Sequence, residues 1–290
     1  MEVFPEEPLW KHTYYRIGGP ARFLAIPRSR EDLQELGQMI RDSGSKYVFL
    51  GLGSNCLMPD EGFDGYVIKT GRLNLEVTAE GSRLTTGTSV AISSLLRRAC
   101  REGWGGLEFL TGIPGSVGGA VRMNAGTHLG ETVTRLRRVE AFDFKSLSAV
   151  TYLGEALHFE YRKNLFLPPT TLVYSAEWEI TPGDPATLKS LMDLTLARRK
   201  ATQPLDFPSC GSVFKNPKSS GRQAWQVIDQ LGLRGHRIGN AQIAEMHSNW
   251  ILNLGGARAA DVRALIDLIQ RRAREELGIE MEAEVVLIRQ

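Results

Sequence analysis

The stretch GLEFLTGIPGSVGGAVRMNAG, Gly106 to Gly126, decides how this chain is read. Glycine recurs at Gly112, Gly115, Gly118, Gly119 and Gly126, and where glycine is this dense the main chain can pass very close to a flat or phosphorylated ligand, because no Cβ stands in the way. The competing reading is a set of helix-packing glycines. Each glycine costs a helix about 1 kcal/mol relative to alanine, so the segment makes a poor helix and the ligand loop is preferred. Gly112, Ile113, Pro114, Gly115, Ser116, Gly118, Gly119 and Ala120, with Asn124 after them, are therefore the first candidate binding residues. A side chain placed at Gly118 is expected to fill space that the ligand needs.

Upstream, LGLGSN at 50–55 closes an apolar run, Lys46 to Leu50, that reads as a strand. Gly51 and Gly53 let the backbone turn sharply and present N–H groups to an anion, and Ser54 and Asn55 add short polar arms. An ordinary tight turn explains the pentapeptide equally well. It is not a dinucleotide fingerprint, since Cys56 stands where the third glycine belongs and Pro59 with Asp60 opposes direct entry into a helix. Two phosphate-friendly loops together suggest a large dinucleotide lying between them.

Around these loops the pattern alternates strands and helices. Ala21 to Ile26 reads as a strand, and Ser29 with Asp32 caps a helix carrying Leu33, Leu36 and Ile40. Further strands are read at Gly65 to Lys69, within Leu73 to Gly87, at Leu136 to Phe144 and at Thr171 to Ile180. Helices are read at Ala91 to Cys100, Leu188 to Arg199 and near Ala224 to Leu231. Trp250 to Leu254 is a strand, Val262, Leu265, Ile266 and Ile269 mark a long helix stopped by Gly278, and Ala283 to Ile288 is a last strand. At 290 residues the chain has room for roughly two or three domains. The expected division is 1–70, 71–184 and 185–290, the last boundary lying at the turn-rich Thr181 to Pro185.

With Lys plus Arg at 35 against Asp plus Glu at 33, no global basic field calls for nucleic acid. The cysteines Cys56, Cys100 and Cys210 are too few for a disulfide framework and form no CxxC pair, which suits a reducing compartment. The start of the chain lacks a signal-peptide pattern, and no apolar run approaches the ~18 residues of a membrane span. A cytoplasmic protein with no membrane partner is expected. The histidines His12, His128, His158, His236 and His247 show no metal-ligand spacing, so no metal is expected.

Taken together, HTYYRIGGPA at 12–21, LGLGSN at 50–55, the 106–126 stretch and CGSVFKNP at 210–217 resemble the UDP-N-acetylenolpyruvoylglucosamine reductase family in order and spacing from about residue 12 onward. The resemblance implies an α+β fold: an FAD-binding region of vanillyl-alcohol-oxidase type in two subdomains, followed by a C-terminal α/β substrate-binding lobe. It implies non-covalent FAD, NADPH as co-substrate, and a UDP-N-acetylglucosamine enolpyruvate substrate. Neither loop offers an obvious His or Cys positioned to attach the flavin, although Cys56 lies close enough to the first loop to be a candidate. The interval from Leu165 to Asp184 is too short for the insertion of the family's long form, so the chain resembles the short form.

The family's catalytic residues fall on Arg162, Ser212 and Glu284. Arg162, in YRKN at 161–164, has the fixed fork of donors that suits a carboxylate, although alone it would pass for a surface residue; Asn164 departs from the family's serine. Ser212 matches the proton donor, and its bland reading is a turn serine. Glu284, in MEAEV at 281–285, competes with Glu282, which shares its face if the strand is regular. Tyr161, Lys215, Asn216 and His247 are implied as substrate contacts; for His247 a purely structural histidine is equally compatible. A flavin oxidase on the same fold and a silent UDP-sugar sensor are the rival functions.

Overall fold

Ser29 ends one strand and starts the first helix: its hydroxyl accepts from the Asp32 N–H, and α1 (Arg30–Ser43) buries Leu33, Leu36 and Ile40 before Gly44 closes it at φ 62°. That helix belongs to one of two compact units in the computed structural model, which describes residues 1–218 and 220–289. The first unit comprises Met1–Phe4, Phe23–Leu52 and Gly65–Arg199; the second comprises Pro5–Arg22, Gly53–Asp64 and the residues from Lys200 onward.

In the first unit α1 covers the strand Lys46–Leu50 and, from Gly65 on, the strand Phe63–Lys69. These two strands run parallel, with Lys46 opposite Gly65 and Leu50 opposite Lys69. Glu2–Pro8 is an edge strand with mostly exposed side chains and an internal Pro5, so no apolar alternation announces it in the sequence. A second sheet, antiparallel throughout, is ordered Ser148–Leu153, Leu136–Asp143, Thr171–Glu179, Arg83–Gly87, Val77–Glu80. Its apolar face packs with α2 (Ile92–Glu102) and α3 (Val117–Met123) around Leu84, Leu95, Val117, Val139 and Trp178. A separate core holds Leu33, Leu36, Tyr66, Ile68, Phe142 and Phe144. After the second sheet, α4 (Pro185–Thr202) buries only Leu188.

The helix α3 corrects the reading of the glycine stretch, because Gly118 and Gly119 lie inside it. A Cβ on Gly118 would stand 2.1 Å from Thr88 Oγ1, and the Gly118 N–H donates to Thr88 O at 3.0 Å. The missing side chain therefore lets α3 lie against Thr88, and a larger residue would strike Thr88. Ser116 caps the helix start through the Gly119 N–H and Asn124, at φ 46°, caps its end. Caps and burial of Val117 and Val121 outweigh the propensity of two glycines, as tertiary packing does for most short helices. Between Leu165 and Asp184 stand one long strand, Thr171–Glu179, and the two-residue Thr181–Pro182, with no helix, as the short interval in the sequence predicts.

The second unit contains α5 (Ala224–Gln230), α6 (Ala259–Leu277) and a sheet of Arg237–Ile238, Ala241–Ile243 and Ile251–Asn253. Val262, Leu265, Ile266 and Ile269 of α6 pack with Leu57, Phe214, Val227 and Ile251. The expected strand Ala283 to Ile288 is only partly regular: Ala283 bridges Phe214, whereas Val286–Leu287 pairs in parallel with Cys56–Leu57. The segment changes partner midway, which breaks its alternation. Among the described residues no cluster of three or more His, Cys, Asp or Glu could hold a metal, and no helix is long and apolar enough to cross a membrane.

Candidate active site

Within the first unit the two glycine segments approach each other: a Cβ on Gly51 would stand 3.2 Å from Ser116 Oγ, and one on Gly119 would meet only that same hydroxyl, at 3.6 Å. Around Gly51 and Gly119 the one close neighbour of an added Cβ is thus the Ser116 hydroxyl, itself buried. Other members of the predicted cradle have protein partners. Gly112, at φ 78°, lies under Arg199, whose Cδ and Nε would be 2.3 and 2.6 Å from an added Cβ. Burial lowers the pKa of that guanidinium. The Gly115 carbonyl accepts from the Ile92 N–H at the start of α2, Ile113 packs on the sheet core beside Pro114, and Ala120 is buried. On the second unit's side of the first loop, Gly53 takes φ 68° with its α-carbon close to the backbone of His12 and Thr13, and Ser54 follows it.

Arg162 occupies the second position of the two-residue turn joining Phe159–Glu160 to Lys163–Asn164, at φ 55°. Glycine or asparagine is the usual choice there, and a residue with a Cβ in that conformation costs on the order of 1–2 kcal/mol. Its side chain, 16% exposed, is fixed from several directions. Nη2 donates to Gly126 O at 2.7 Å and Nη1 meets Glu131 Oε1 at 3.3 Å, while the guanidinium carbon stands 5.0 Å over the Tyr161 ring. Asn124 joins the group, donating from Nδ2 to Glu131 Oε2 at 2.9 Å and to Glu160 O at 3.0 Å. Asn164, in place of the expected serine, accepts from the Leu167 N–H and donates to Arg122 O, so it holds the end of the same turn. Strain held by this many contacts is characteristic of a functional position.

In the second unit, backbone pairing brings Ser212 and Glu284 into neighbouring strands. Ser212 bridges Trp250, Val213 N donates to Asn249 O, and Val213 O accepts from Glu284 N at 2.7 Å and Val285 N at 3.3 Å. Asn249 clasps the main chain of Phe214, accepting from its N–H at 3.0 Å and donating to its carbonyl at 2.9 Å. Asn55 ties in the first glycine loop by donating to Glu284 O at 3.1 Å and accepting from Val286 N at 3.0 Å. Three residues that the sequence singled out separately thus share one hydrogen-bonded segment.

Glu282, the rival of Glu284 in the sequence, is 72% exposed and its carboxylate holds Lys215 Nζ at 2.6 Å. Asn216 Oδ1 accepts from the Ala224 N–H at the head of α5, so both expected substrate contacts also serve the fold. His247 is half-buried, and burial lowers its imidazole pKa. Its Nδ1, Trp250 Nε1 and Asp229 Oδ1 are buried without a hydrogen-bond partner. Cys56 is buried in a strand and desolvation pushes its thiol up to about 12, which removes the thiolate that flavin attachment would need. Sequence reasoning missed Glu131 and Arg199. Each acts through a partner distant in sequence, and no motif or periodicity marks them.

Comparison with known proteins fits this geometry. Residues 21–158 match the family model described as "FAD binding domain", and residues 203–288 match that of the UDP-N-acetylenolpyruvoylglucosamine reductase C-terminal domain. A UDP-N-acetylenolpyruvoylglucosamine reductase of Heliobacterium modesticaldum is 42% identical over 283 residues, which is 98% of this chain and 90% of the relative. The chain belongs to the UDP-N-acetylenolpyruvoylglucosamine reductase family. Another member, from Geobacter metallireducens, is 38% identical over 99% of this chain and 94% of its own. The crystal structure of the reductase from Thermus caldophilus superposes with a TM-score of 0.81 at 37% identity, covering 99% of this chain and 98% of that one. As a member of the reductase family with an FAD-binding domain, the chain is a flavoprotein oxidoreductase using FAD. Gly51 and Gly119, where no other backbone crowds an added Cβ, are with the Ser116 hydroxyl between them the residues here that fit such a cofactor.

Proposed function

We propose that the protein reduces the enolpyruvyl ether of UDP-N-acetylglucosamine enolpyruvate to the lactyl ether of UDP-N-acetylmuramate in cytoplasmic peptidoglycan precursor synthesis, with NADPH as electron source. The observation that carries the reading is the pairing of the Ser212 strand with the Glu284 segment, joined by Asn55 of the first glycine loop. In this reading residues 1–70 and 71–184 form the two halves of the flavin region, and 185–290 form the substrate-binding lobe. Gly51, Gly53, Ser54 and Asn55, the turn from Gly112 to Ser116, and Gly118, Gly119, Ala120 and Asn124 of α3 and its cap serve the cofactor. Tyr161, Lys215, Asn216 and His247 serve the substrate.

Gly51, Ser116 and Gly119 would hold the flavin, which would supply a hydride equivalent drawn from NADPH for the terminal methylene carbon of the enolpyruvyl group. Electron density then moves toward the carboxylate, and Arg162, with its planar fork, binds that carboxylate and the charge collecting on it. Glu284 holds the polarised intermediate. The Ser212 hydroxyl gives its proton to the carbon bearing the ether oxygen, so that one hydride and one proton saturate the double bond.

The half-reactions separate the roles. In Ser212→Ala, reduction by NADPH should run at a near-native rate, since no step of it uses the serine proton. Reoxidation by the enolpyruvyl substrate should fall by ~10²–10⁴-fold, the usual contribution of a positioned acid. Ser212→Cys should recover part of that rate. Stopped-flow traces on pre-reduced protein read this directly, and reoxidation of Ser212→Ala at the wild-type rate would remove Ser212 from the mechanism.

A further inference from the structure

Glu131 lies outside every motif that the sequence offers, yet its carboxylate pairs with Arg162. One oxygen accepts from Arg162 Nη1 at 3.3 Å, and the other accepts from Asn124 Nδ2 at 2.9 Å. Asn124 has no freedom to turn its amide. Its Oδ1 accepts from the Val133 N–H at 3.1 Å and its Nδ2 also donates to Glu160 O at 3.0 Å, so the donor end must face Glu131. The amide is buried, and Asn124 itself is fixed in the left-handed conformation that caps α3. Glu131 pairs with Gly126 across the short hairpin Gly126–Thr127/Gly130–Glu131, and Gly126 O is the acceptor for Arg162 Nη2 at 2.7 Å. The hairpin therefore offers the guanidinium two acceptors at a fixed spacing.

We infer that Glu131 is a positioning residue for the reductase reaction: buttressed by Asn124, it sets the plane in which Arg162 presents its fork to the substrate carboxylate. The inference rests on the proposed role of Arg162 and deepens it. An arginine on a strained turn would otherwise sample several rotamers, and a carboxylate bound out of plane would lose alignment of the reacting carbon. The carboxylate also shares the positive charge of Arg162. Removing it should leave ground-state binding unharmed while the oriented, charge-accumulating state suffers.

The test is Glu131→Gln, which keeps shape and one acceptor but removes the charge, measured beside Arg162→Lys in both half-reactions. Glu131→Gln should retain its flavin and bleach with NADPH at the wild-type rate. Its reoxidation by the enolpyruvyl substrate should slow on the order of tenfold to hundredfold, the loss that a misplaced catalytic group brings, without a rise in KM. In the Arg162→Lys background the same change should have little further effect, because the group that it aligns is gone. Reoxidation of Glu131→Gln at the wild-type rate, with Arg162→Lys slow, would overturn the inference alone. Wild-type reoxidation by Arg162→Lys would overturn the role of Arg162 and the inference with it. Loss of flavin, or slowing of both half-reactions in equal measure, would assign Glu131 to the fold and also overturn it. Should Glu131→Gln not fold, Glu131→Asp, which keeps the charge on a shorter arm, should show the same selective loss in milder form, and unchanged reoxidation there would count against the inference.

Discussion

Cys56 and His247 show how burial decides chemistry at single residues. The raised thiol of Cys56 cannot act as an attacking thiolate near neutral pH, so the flavin should be held without a covalent bond. Acid denaturation followed by centrifugation should leave all the yellow colour in the supernatant; colour on the polypeptide would refute this. The imidazole of His247 has its folded pKa depressed by burial, below the ordinary value near 6.5. The unfolded chain then binds a proton more readily than the folded one, so this residue's contribution is full above about pH 6.5 and declines as pH falls toward the folded pKa. Urea midpoints should therefore fall more steeply between pH 7 and pH 5 for the wild type than for His247→Gln; parallel curves would contradict the assignment. Motif residues such as Ser212 and Arg162 could be proposed from the sequence because the family fixes their neighbours in the chain. Glu131 was not, since its meaning lies in Asn124 and Arg162, which reach it only after a hairpin and a turn have formed.

At the level of elements, long periodic segments were read correctly and short or edge segments were not. The helix α6 carries its apolar stripe and its stopping glycine in plain view, whereas its start depends on a residue far away. The Asp60 carboxylate accepts from the N–H groups of Ala259 at 2.7 Å and Ala260 at 3.0 Å, which would otherwise be orphan donors. Hydrogen bonds to a charged partner at a helix N-terminus contribute about 1.5–3 kcal/mol, so Asp60→Ala should destabilise the protein by about 2 kcal/mol. A urea unfolding curve would register this as a lower midpoint, and an unchanged midpoint would show the cap to be idle. The edge strands Glu2–Pro8 and Ser148–Leu153 escaped notice because edges are solvated and need no apolar alternation. For α3 the glycine penalty was the right magnitude set against the wrong competitor, since the close approach to Thr88 and two caps were invisible in one dimension.

The whole chain divides into units assembled from separated stretches. Pro5–Arg22 and Gly53–Asp64 pack with the residues from Lys200 onward, and the chain passes from one unit to the other inside the first glycine loop, at Leu52 to Gly53. A contiguous reading cannot foresee this, because the contacts responsible, such as Asn253 Nδ2 to Tyr15 O at 2.8 Å, span most of the sequence. What the sequence did reveal at this scale is the family and its cofactor, through the order and spacing of four strings. The most direct test of the account is the visible spectrum of the purified protein under anaerobic conditions, taken before NADPH, after it, and after UDP-N-acetylglucosamine enolpyruvate. The flavin absorbance should be present at the outset, bleach with NADPH, and return on addition of an equimolar amount of the enolpyruvyl substrate, with a product heavier by two hydrogen atoms. A correctly folded protein without flavin, or a bleached flavin that the substrate leaves reduced, would contradict the account.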